Sequence, residues 1–541
     1  MTTVTADFLT TTERSALMRR VRSTGTGPEL ALAAALKERG HTFELHCENL
    51  PGKPDIVFQS QRVAVFVDGE FWHGGQWQRR GLISLADQFP DATKRGKWLA
   101  KIQGNRNRDL ARTADLVAGG WTVVRLWAGE IERDTASAVD LILRSLSKSA
   151  PPSPASWIAH RHAAEFFAGI GLARIALERS GWRVSFANDK AEDKILFYSE
   201  NLGAGGAAPD TRDIHDIAAT DVPTVALATA CFPCTDLSLA GAQRGLEPGT
   251  ESSAYLKFTA VLRQMKSRRP PFVLLENVVG MIHSRGGADF QICLEQLRDA
   301  GYTVDPFLLD AKWFVPQSRP RFFVVAVRDD LRPLGHHTGT ADEAKRRLRP
   351  ARLIDFIKAH PDLPWSLRPL PVPGNRTVRL EDIVEDIPFD DSRWWTAERS
   401  LRLYRQMSDK HRKIVRGMMK STDPKYGTVF RRMRHGSSMA ELRTDGLAGC
   451  LRTPKGGSAR QILLRASSGK YHVRLLTPRE CARLMGADDI RIPEALSVNK
   501  ALFAFGDGVC VPVVKWIADN YLTPLAAELI HGAVLRTGSV L

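Results

Sequence analysis

The chain has 541 residues, 43% hydrophobic and 25% charged, which excludes a disordered or fibrous protein and is too long for one core. Its formal net charge of +16 suits a polyanionic partner, because Lys and Arg neutralise phosphates, although a soluble protein that is merely basic would show the same excess. The 7 Cys are scattered apart from one C-x-x-C spacing at Cys231 and Cys234, and with no second such pair they form neither a disulfide framework nor a zinc-finger ligand set. The polar opening MTTVTADFLTTTERS predicts no signal peptide, and no apolar run approaches the ~18 residues that span a bilayer. A cytoplasmic or nucleoid-associated protein without a membrane partner is expected.

The first 147 residues alternate helix and strand signals. PELALAAALKERG reads as a helix closed by Gly40, and DIVF and RVAVFVDG read as strands, the second ending at Asp68-Gly69. DLVAGGWTVVRLW reads as a helix end, a glycine turn and a third strand. LPGKPD leads Asp55 into the first strand, and the second delivers Asp68, Glu70 and His73. Acids on neighbouring strands can hold a divalent cation over a phosphate. On spacing alone a solvated hairpin with surface acids fits better. Phe71 and Trp72 beside His73 could wedge into a base step, though core packing is the usual task of such rings.

KSAPPSPASW packs Pro, Ser and Ala between two patterned regions, which predicts a linker over 148–160. The second region again alternates: strand AAEFF, a glycine turn, helix ARIALERSG, then strands RVSFAND, TVALATA, FVLLENV and RFFVVAV. That rhythm predicts an α/β domain with a largely parallel sheet over 161–330. From 331 to 445 the rhythm is lost in a stretch rich in Pro, Arg and Trp, and helical periodicity returns at LLTPRECARLMG and VVKWIADNYL, within 446–541.

Phe167, Ala168, Gly169 and Gly171 lie between a strand and a helix, where glycine lets backbone approach a ligand, as it does in many α/β turns. Asp189 could hold a ribose hydroxyl and Asp210 an adenine amino group; both could be ordinary strand-end acids. Cys231-Phe232-Pro233-Cys234 follows a strand, so a thiol there could be a nucleophile or an inert buried Cys. Glu276 ends FVLLE, where a carboxyl can be raised in pKa and give a proton, or simply cap a helix. Gln317, Arg319 and Arg321 precede a further strand.

Taken in order, FAGIG, PCTDLS, ENV, PQSRPR, LRTPKGGSARQ, RLLTPRECARLMG and FGDGVCVPVV resemble the DNA cytosine 5-methyltransferase family from about 163 to 525. The resemblance implies a Rossmann-like class I methyltransferase domain with a small target recognition domain in 331–445. It also implies S-adenosylmethionine as methyl donor and double-stranded DNA as substrate. By it, Cys234 is the nucleophile and Glu276 the group at ring nitrogen 3. Arg319 and Arg321 hold the base and help order the catalytic loop. Phe167, Ala168, Gly169, Gly171, Asp189, Asp210, Pro233, Asp507 and Val509 line the cofactor. Two departures stand out: Asp507 replaces the usual Asn after Gly, and Cys231 the usual Gly before Phe-Pro-Cys.

ERSALMRRVRS, TGPE, LPGKPDIV, VFVDGEFWHG, KIQGNRNRD and GGWTVVRLW resemble, over 13–130, the very short patch repair endonuclease family, which nicks DNA beside T:G mismatches. This implies a restriction-endonuclease-like α/β domain. Asp55, with the backbone carbonyl of Val67, would hold Mg²⁺. His73 would be the catalytic base or a water contact, with Glu29 and Asp109 in support. Phe71 and Trp72, with Met18, would be the intercalating wedge. Asp68 stands where some members have His, and the Cys residues of the zinc site in some members are absent, so no zinc is expected. A methyltransferase carrying its own repair nuclease is the expectation. A single-chain restriction–modification enzyme, or a methyltransferase with an inactive DNA-binding N-terminal module, are the alternatives.

Overall fold

The computed structural model describes residues 24–76, 80, 82, 85–118, 121–146, 154–203, 208–233, 254–331, 348–434, 436–452 and 460–536. Two compact units emerge, Met1–His160 with Ala526–Leu541, and Arg161–Leu525.

In the smaller unit, β1 (Glu44–Leu45), β2 (Ile56–Phe58), β3 (Val63–Asp68) and β4 (Thr122–Trp127) form a sheet in the order β1-β2-β3-β4. The β1–β2 and β2–β3 pairs are antiparallel and β3–β4 is parallel. The run Val63–Phe66 is apolar at every position because both faces are covered. Val63 and Val65 pack with Leu32 and Leu36 of the helix Gly27–Glu38 and Val139 and Ile142 of the helix Thr135–Leu146, while Ala64 and Phe66 meet Leu116 of the long helix Ala92–Ala118. The sheet thus delivers the end of β3, Val67 and Asp68, to one edge. The expected linker over 148–160 needs correction in its second half, where Pro154–His160 is a helix. Pro is tolerated at a first helical position because its missing N–H is not needed there. Residues 147–153 lie outside the described residues.

The larger unit is built on β5 (His162–Phe166), β6 (Arg183–Asn188), β7 (Leu227–Ala230), β8 (Phe272–Val278), β9 (Tyr302–Asp310) and β10 (Pro320–Arg328), in the order β6-β5-β7-β8-β10-β9. β6, β5, β7 and β8 are parallel, as the strand–helix alternation predicts. The expectation of a largely parallel sheet fails at the other edge, where β10 runs antiparallel to both β8 and β9. Only residues 311–319 join β9 to β10, too short for a helical crossover, so the chain must turn back on itself.

A second sheet, β12-β11-β13-β14, is wholly antiparallel: β11 (Lys425–Arg434), β12 (Ser437–Arg443), β13 (Ile462–Ser467) and β14 (Lys470–Leu475). Lys425–Val429 pair with Ile462–Ala466, so the expected boundary at 445/446 cuts through one sheet. The alternation is absent from β11 because Gly427, Thr428 and Val429 are buried in succession and Met433 is exposed. One helical stretch, Val498–Ile530, is long and apolar enough to cross a membrane by length and composition, contrary to the sequence expectation, but 61% of its most apolar window is buried as in a core helix.

A fully buried ion pair ties the second sheet to the helix Pro478–Leu484. Arg474 of β14 donates to both oxygens of Glu480 at 2.5 and 2.7 Å. Glu480 also accepts from the backbone N–H of Thr477 and of Glu385. Removing one member strands the other charge in the core. Glu480→Ala is therefore expected to lower the unfolding free energy by about 3–5 kcal/mol in urea titration; a loss below about 1 kcal/mol would contradict this.

Candidate functional site

In the larger unit the turn after β5 is shaped by left-handed backbone at Phe167 (φ 55°), Gly169 (φ 57°) and Gly171 (φ 80°). At Gly171 a Cβ would lie 2.3 Å from Leu202 Cδ1, so only glycine fits. A Cβ on Gly169 would meet nothing within 4 Å, leaving open space against the backbone. Asp189 steadies this turn: its Oδ2 accepts from Gly169 N at 2.7 Å and its Oδ1 from Ala191 N at 2.9 Å. Asp210 is brought beside it by backbone, with Asp189 N donating to Asp210 O at 3.1 Å. The Asp210 carboxylate is gripped by Arg212, at 2.6 Å for Nη2–Oδ2, and this pairing holds its pKa below the usual range. An adenine amino group would have to share that carboxylate.

Sequence reasoning missed Glu165 on β5. It is buried, accepts from Arg174 N at 3.2 Å, and desolvation pushes its pKa to about 8.

The closing residues return to the same place. A Cβ on Gly508 would lie 2.7 Å from Leu172, the first residue of the helix after the glycine turn, so 506–509 packs on that turn. Asp507 pairs with Lys194 at 2.9 Å, and Val509 is buried. Arg319 joins this segment to the strand edge. Its guanidinium donates to Leu451 O at 2.8 Å, Gly506 O at 3.0 Å and Gly508 O at 2.7 Å. Nη1 also reaches Cys450 Sγ at 3.4 Å, so both terminal nitrogens of Arg319 clamp the closing segment.

Glu276 and Arg321 do meet, at 2.9 Å from Arg321 Nε to Glu276 Oε1, on the adjacent antiparallel strands β8 and β10. Burial raises the Glu276 pKa, and Arg321 and Arg319 oppose that only in part. Asn277 Nδ2 donates to Phe232 O at 3.1 Å and so pins the backbone before Pro233, which is itself exposed. Cys234 lies outside the described residues. Burial first, then the charges of Glu276 and Glu165, pushes the Cys231 thiol well above its usual range, which is the environment of an inert thiol rather than a thiolate. Gln317 is buried, donates to Leu484 O at 2.8 Å and accepts from Leu451 N at 3.1 Å, so it is structural.

In the smaller unit Asp55, at the start of β2, accepts from Val67 N at 2.7 Å. Burial first, then Glu29 and Asp68, raises its pKa to about 6. Glu29, His46 and Asp55 place ligand atoms within 4.8 Å of one another. His46 has no place in the motifs that single out Asp55 and Glu29, and only the fold of the β1–β2 hairpin brings it here. Across β3, His73 Nδ1 lies 2.6 Å from Asp109 Oδ2. Because an ionised carboxylate only accepts, Nδ1 carries a proton, and in the neutral ring Nε2 keeps its lone pair. Burial pulls the His73 pKa down, but the Asp109 hydrogen bond and the charges of Asp68 and Asp109 win, and it is raised overall.

Among the described residues, Asp68 and Glu70 are engaged away from the Glu29–His46–Asp55 group. Asp68 takes a bidentate pair from buried Arg125, at 2.7 and 2.6 Å, and Glu70 accepts from Gly129 N at 2.9 Å. Arg125 also reaches Asp109 at 3.4 Å; it sits in a strand that reads as core, which is why sequence reasoning passed over it. Phe71 and Trp72 are half-buried and packed with Phe89 and Trp98, at ring-centre distances of 5.0 to 6.2 Å, with Lys101 Nζ 4.9 Å from the Trp72 ring. The expected wedge is thus folded into an aromatic cluster here, and Met18 lies outside the described residues.

Residues 162–523 match the family model for C-5 cytosine-specific DNA methylase, and residues 6–79 that for DNA mismatch endonuclease Vsr. The chain is 38% identical over 141 residues to the type II nicking enzyme V.NmeDIP of Neisseria meningitidis serogroup C, covering 26% of this chain and 90% of that one. It is 26% identical over 361 residues to the type II methyltransferase M.Bsp6I of a Bacillus species, covering 66% of this chain and 97% of that one. Among solved structures, the Dnmt2 methyltransferase of S. pombe is similar over 67% of this chain and 98% of its own, at 17% identity and a TM-score of 0.44.

Arg125→Leu would leave Asp68 buried without its cation, which is expected to destabilise the smaller unit by about 3–5 kcal/mol. Hydrogen exchange at the β3 and β4 amides reads this unit alone. The double variant Asp68→Leu with Arg125→Leu should recover most of the loss; a double variant as unstable as the single one would show that the pair is not the cause.

Proposed function

Because the chain belongs to the C-5 cytosine-specific DNA methylase family and carries a DNA mismatch endonuclease Vsr segment at its N-terminus, we propose two coupled activities on double-stranded DNA. Residues 161–541 methylate carbon 5 of cytosine from S-adenosylmethionine, with 331–445 contributing target recognition. Residues 1–147 nick DNA at T:G mismatches with Mg²⁺. The observation that carries the first reading is the buried Glu276–Arg321 pair at the sheet edge, beside the Phe232-Pro233 segment that Asn277 pins.

The cofactor residues fit the donor. Open space at Gly169 lets a ligand lie against backbone, Asp189 follows β6 with Asp210 bridged to the same strand end at Asn188, and 506–509 packs on the glycine turn. S-adenosylmethionine supplies, when bound, an electrophilic methyl group. The chain's own groups make cytosine able to take it. Cys234 thiolate adds to carbon 6, and Glu276, whose pKa burial raises, hydrogen-bonds or protonates ring nitrogen 3. Arg321 holds the Glu276 carboxyl in place. Carbon 5, now enamine-like, would be the atom to accept the methyl, with the thioether S-adenosylhomocysteine as leaving group; loss of the carbon-5 proton and expulsion of Cys234 would restore the ring. The target base must leave the stack for this to happen. The β11–β12 hairpin exposes Arg432 and Met433 near its tip, and a two-stranded ribbon of this kind fits a major groove.

In the nuclease, Asp55 and the Val67 carbonyl would hold Mg²⁺, whose role when bound is to polarise a phosphate. The carboxylates gathered at Asp55 suit a hard cation. Glu29 supports the site, and His73, set in one tautomer by Asp109, takes a proton from water at Nε2. The two activities belong together chemically. Deamination of 5-methylcytosine gives thymine opposite guanine, so the first activity creates the lesion that the second would open, and fusion raises the nuclease's concentration at the methylated sites.

Cys234→Ala is expected to abolish methylation while DNA binding, measured by fluorescence anisotropy, stays within about threefold, since phosphate contacts lie elsewhere. Substantial residual methylation would move the nucleophile to another group. Asp55→Ala should abolish nicking and leave tritiated-methyl transfer near the parent rate; loss of both activities in a variant that melts like the parent would refute the separation of the two sites.

A further inference from the structure

The cation site of the nuclease contains one group that neither the motifs nor the reading above assigns. We propose that His46 is a third ligand, with Glu29 and Asp55, to a single divalent cation, and that its nitrogen makes the site take Mn²⁺ in preference to Mg²⁺. This rests on the assignment of a cation to Asp55.

Three observations carry it. First, the imidazole sits between the two carboxylates, with Nε2 3.8 Å from Glu29 Oε2 and Nδ1 3.8 Å from Asp55 Oδ1. Both separations are too long for hydrogen bonds, yet all three side chains offer ligand atoms within 4.8 Å of one another. A cation with ligand bonds of about 2.2 Å spans such a gap, because ligands opposite each other then lie roughly 4.4 Å apart.

Second, the carboxylates are oriented from behind, as ligating carboxylates usually are. Glu29 accepts from Thr26 Oγ1 on Oε1 at 2.7 Å and from Gly25 N on Oε2 at 2.8 Å. Asp55 accepts from Val67 N on Oδ2 at 2.7 Å, which turns Oδ1 toward His46. The two carboxyl side chains are 7% and 17% exposed while that of His46 is 36% exposed, so the imidazole stands at the mouth through which an ion enters.

Third, the backbone holds His46 there against its own preference. Its φ of 50° is left-handed, a conformation that costs a non-glycine residue about 1–2 kcal/mol. The pairing of β1 with β2 and a hydrogen bond from His46 N to Asp55 O at 3.0 Å enforce it. Residues kept in such conformations by surrounding structure cluster at ligand clamps. Two carboxylates match the charge of a divalent cation. Mg²⁺ takes oxygen ligands and keeps its waters, whereas imidazole favours first-row transition ions, among which Mn²⁺ also accepts carboxylates.

The test is calorimetric titration of the full chain, without DNA, with MnCl₂ and separately with MgCl₂, backed by ¹⁴N modulation in the electron spin echo of the Mn²⁺ complex. The parent should bind one Mn²⁺ at this site at least tenfold more tightly than Mg²⁺ and show imidazole ¹⁴N modulation. His46→Ala should weaken Mn²⁺ by roughly tenfold or more, the usual effect of a lost ligand contact, and remove the modulation, while Mg²⁺ affinity changes less than threefold. Because His46 is at the surface, the variant should melt like the parent; His46→Gln, measured in parallel, keeps the bulk and should give the same loss. If His46→Ala binds Mn²⁺ as the parent does while Asp55→Asn does not, His46 is no ligand and the cation at Asp55 stands. If Asp55→Asn also binds as the parent does, the assignment of a cation to Asp55 falls, and the role of His46 with it. A parent that takes up no Mn²⁺ at millimolar concentration overturns the proposal outright.

Discussion

The larger unit is organised around a carboxyl and a guanidinium that both have to leave water. Glu276 and Arg321 lie on neighbouring strands, and their ion pair offsets part of the cost of burying the carboxyl. Their pairing requires β10 to run antiparallel beside β8, so that Phe323 stands opposite Glu276 and Arg321 two residues earlier can turn back to it. Arg319, two residues earlier again, points into the segments at Leu451 and Gly506–Gly508 and makes the closing of the chain part of the same edge. The glycine turn after β5, the clamp and the acid are therefore one construction, and burial within it raises the Glu276 pKa against the opposing pull of Arg321 and Arg319.

The two departures that add negative charge are each answered by a cation from a distant part of the sequence. Asp68, where some relatives of the nuclease carry His, is neutralised by Arg125 from β4. Asp507, where Asn is usual, meets Lys194 from the helix that follows Asp189. In both cases the pair spans the site: Arg125 also touches Asp109, which orients His73, and Lys194 lies within the field of Asp189 as well as Asp507. The replacements change which side chains hold the site without leaving a charge stranded in it.

Much of this could be read from residues in order, because strand–turn–helix rhythm and motif order follow from local chemistry. FAGIG announces a backbone that must be left-handed, and LPGKPD announces an acid at a strand start. What could not be read was whatever depends on partners far away in sequence. The antiparallel return of β10 followed from the shortness of one connection, and the second sheet was hidden because β11 buries three successive residues instead of alternate ones. Arg125 looked like a core position, and His46 like any loop histidine, until the sheet and the hairpin set them beside Asp68 and Asp55. Arg319 was recognised as important, but its partners are carbonyls, which no sequence motif displays.

The central claim is that one chain both makes the methylated site and opens the mismatch that arises from it. The most direct measurement is strand-resolved cleavage by the full chain on two duplexes that are identical except for T:G or C:G at the methylated position. The account predicts a single nick on the thymine strand of the T:G duplex and an intact C:G duplex. Double-strand cuts confined to unmethylated C:G duplexes would contradict it and make the chain a restriction–modification enzyme instead.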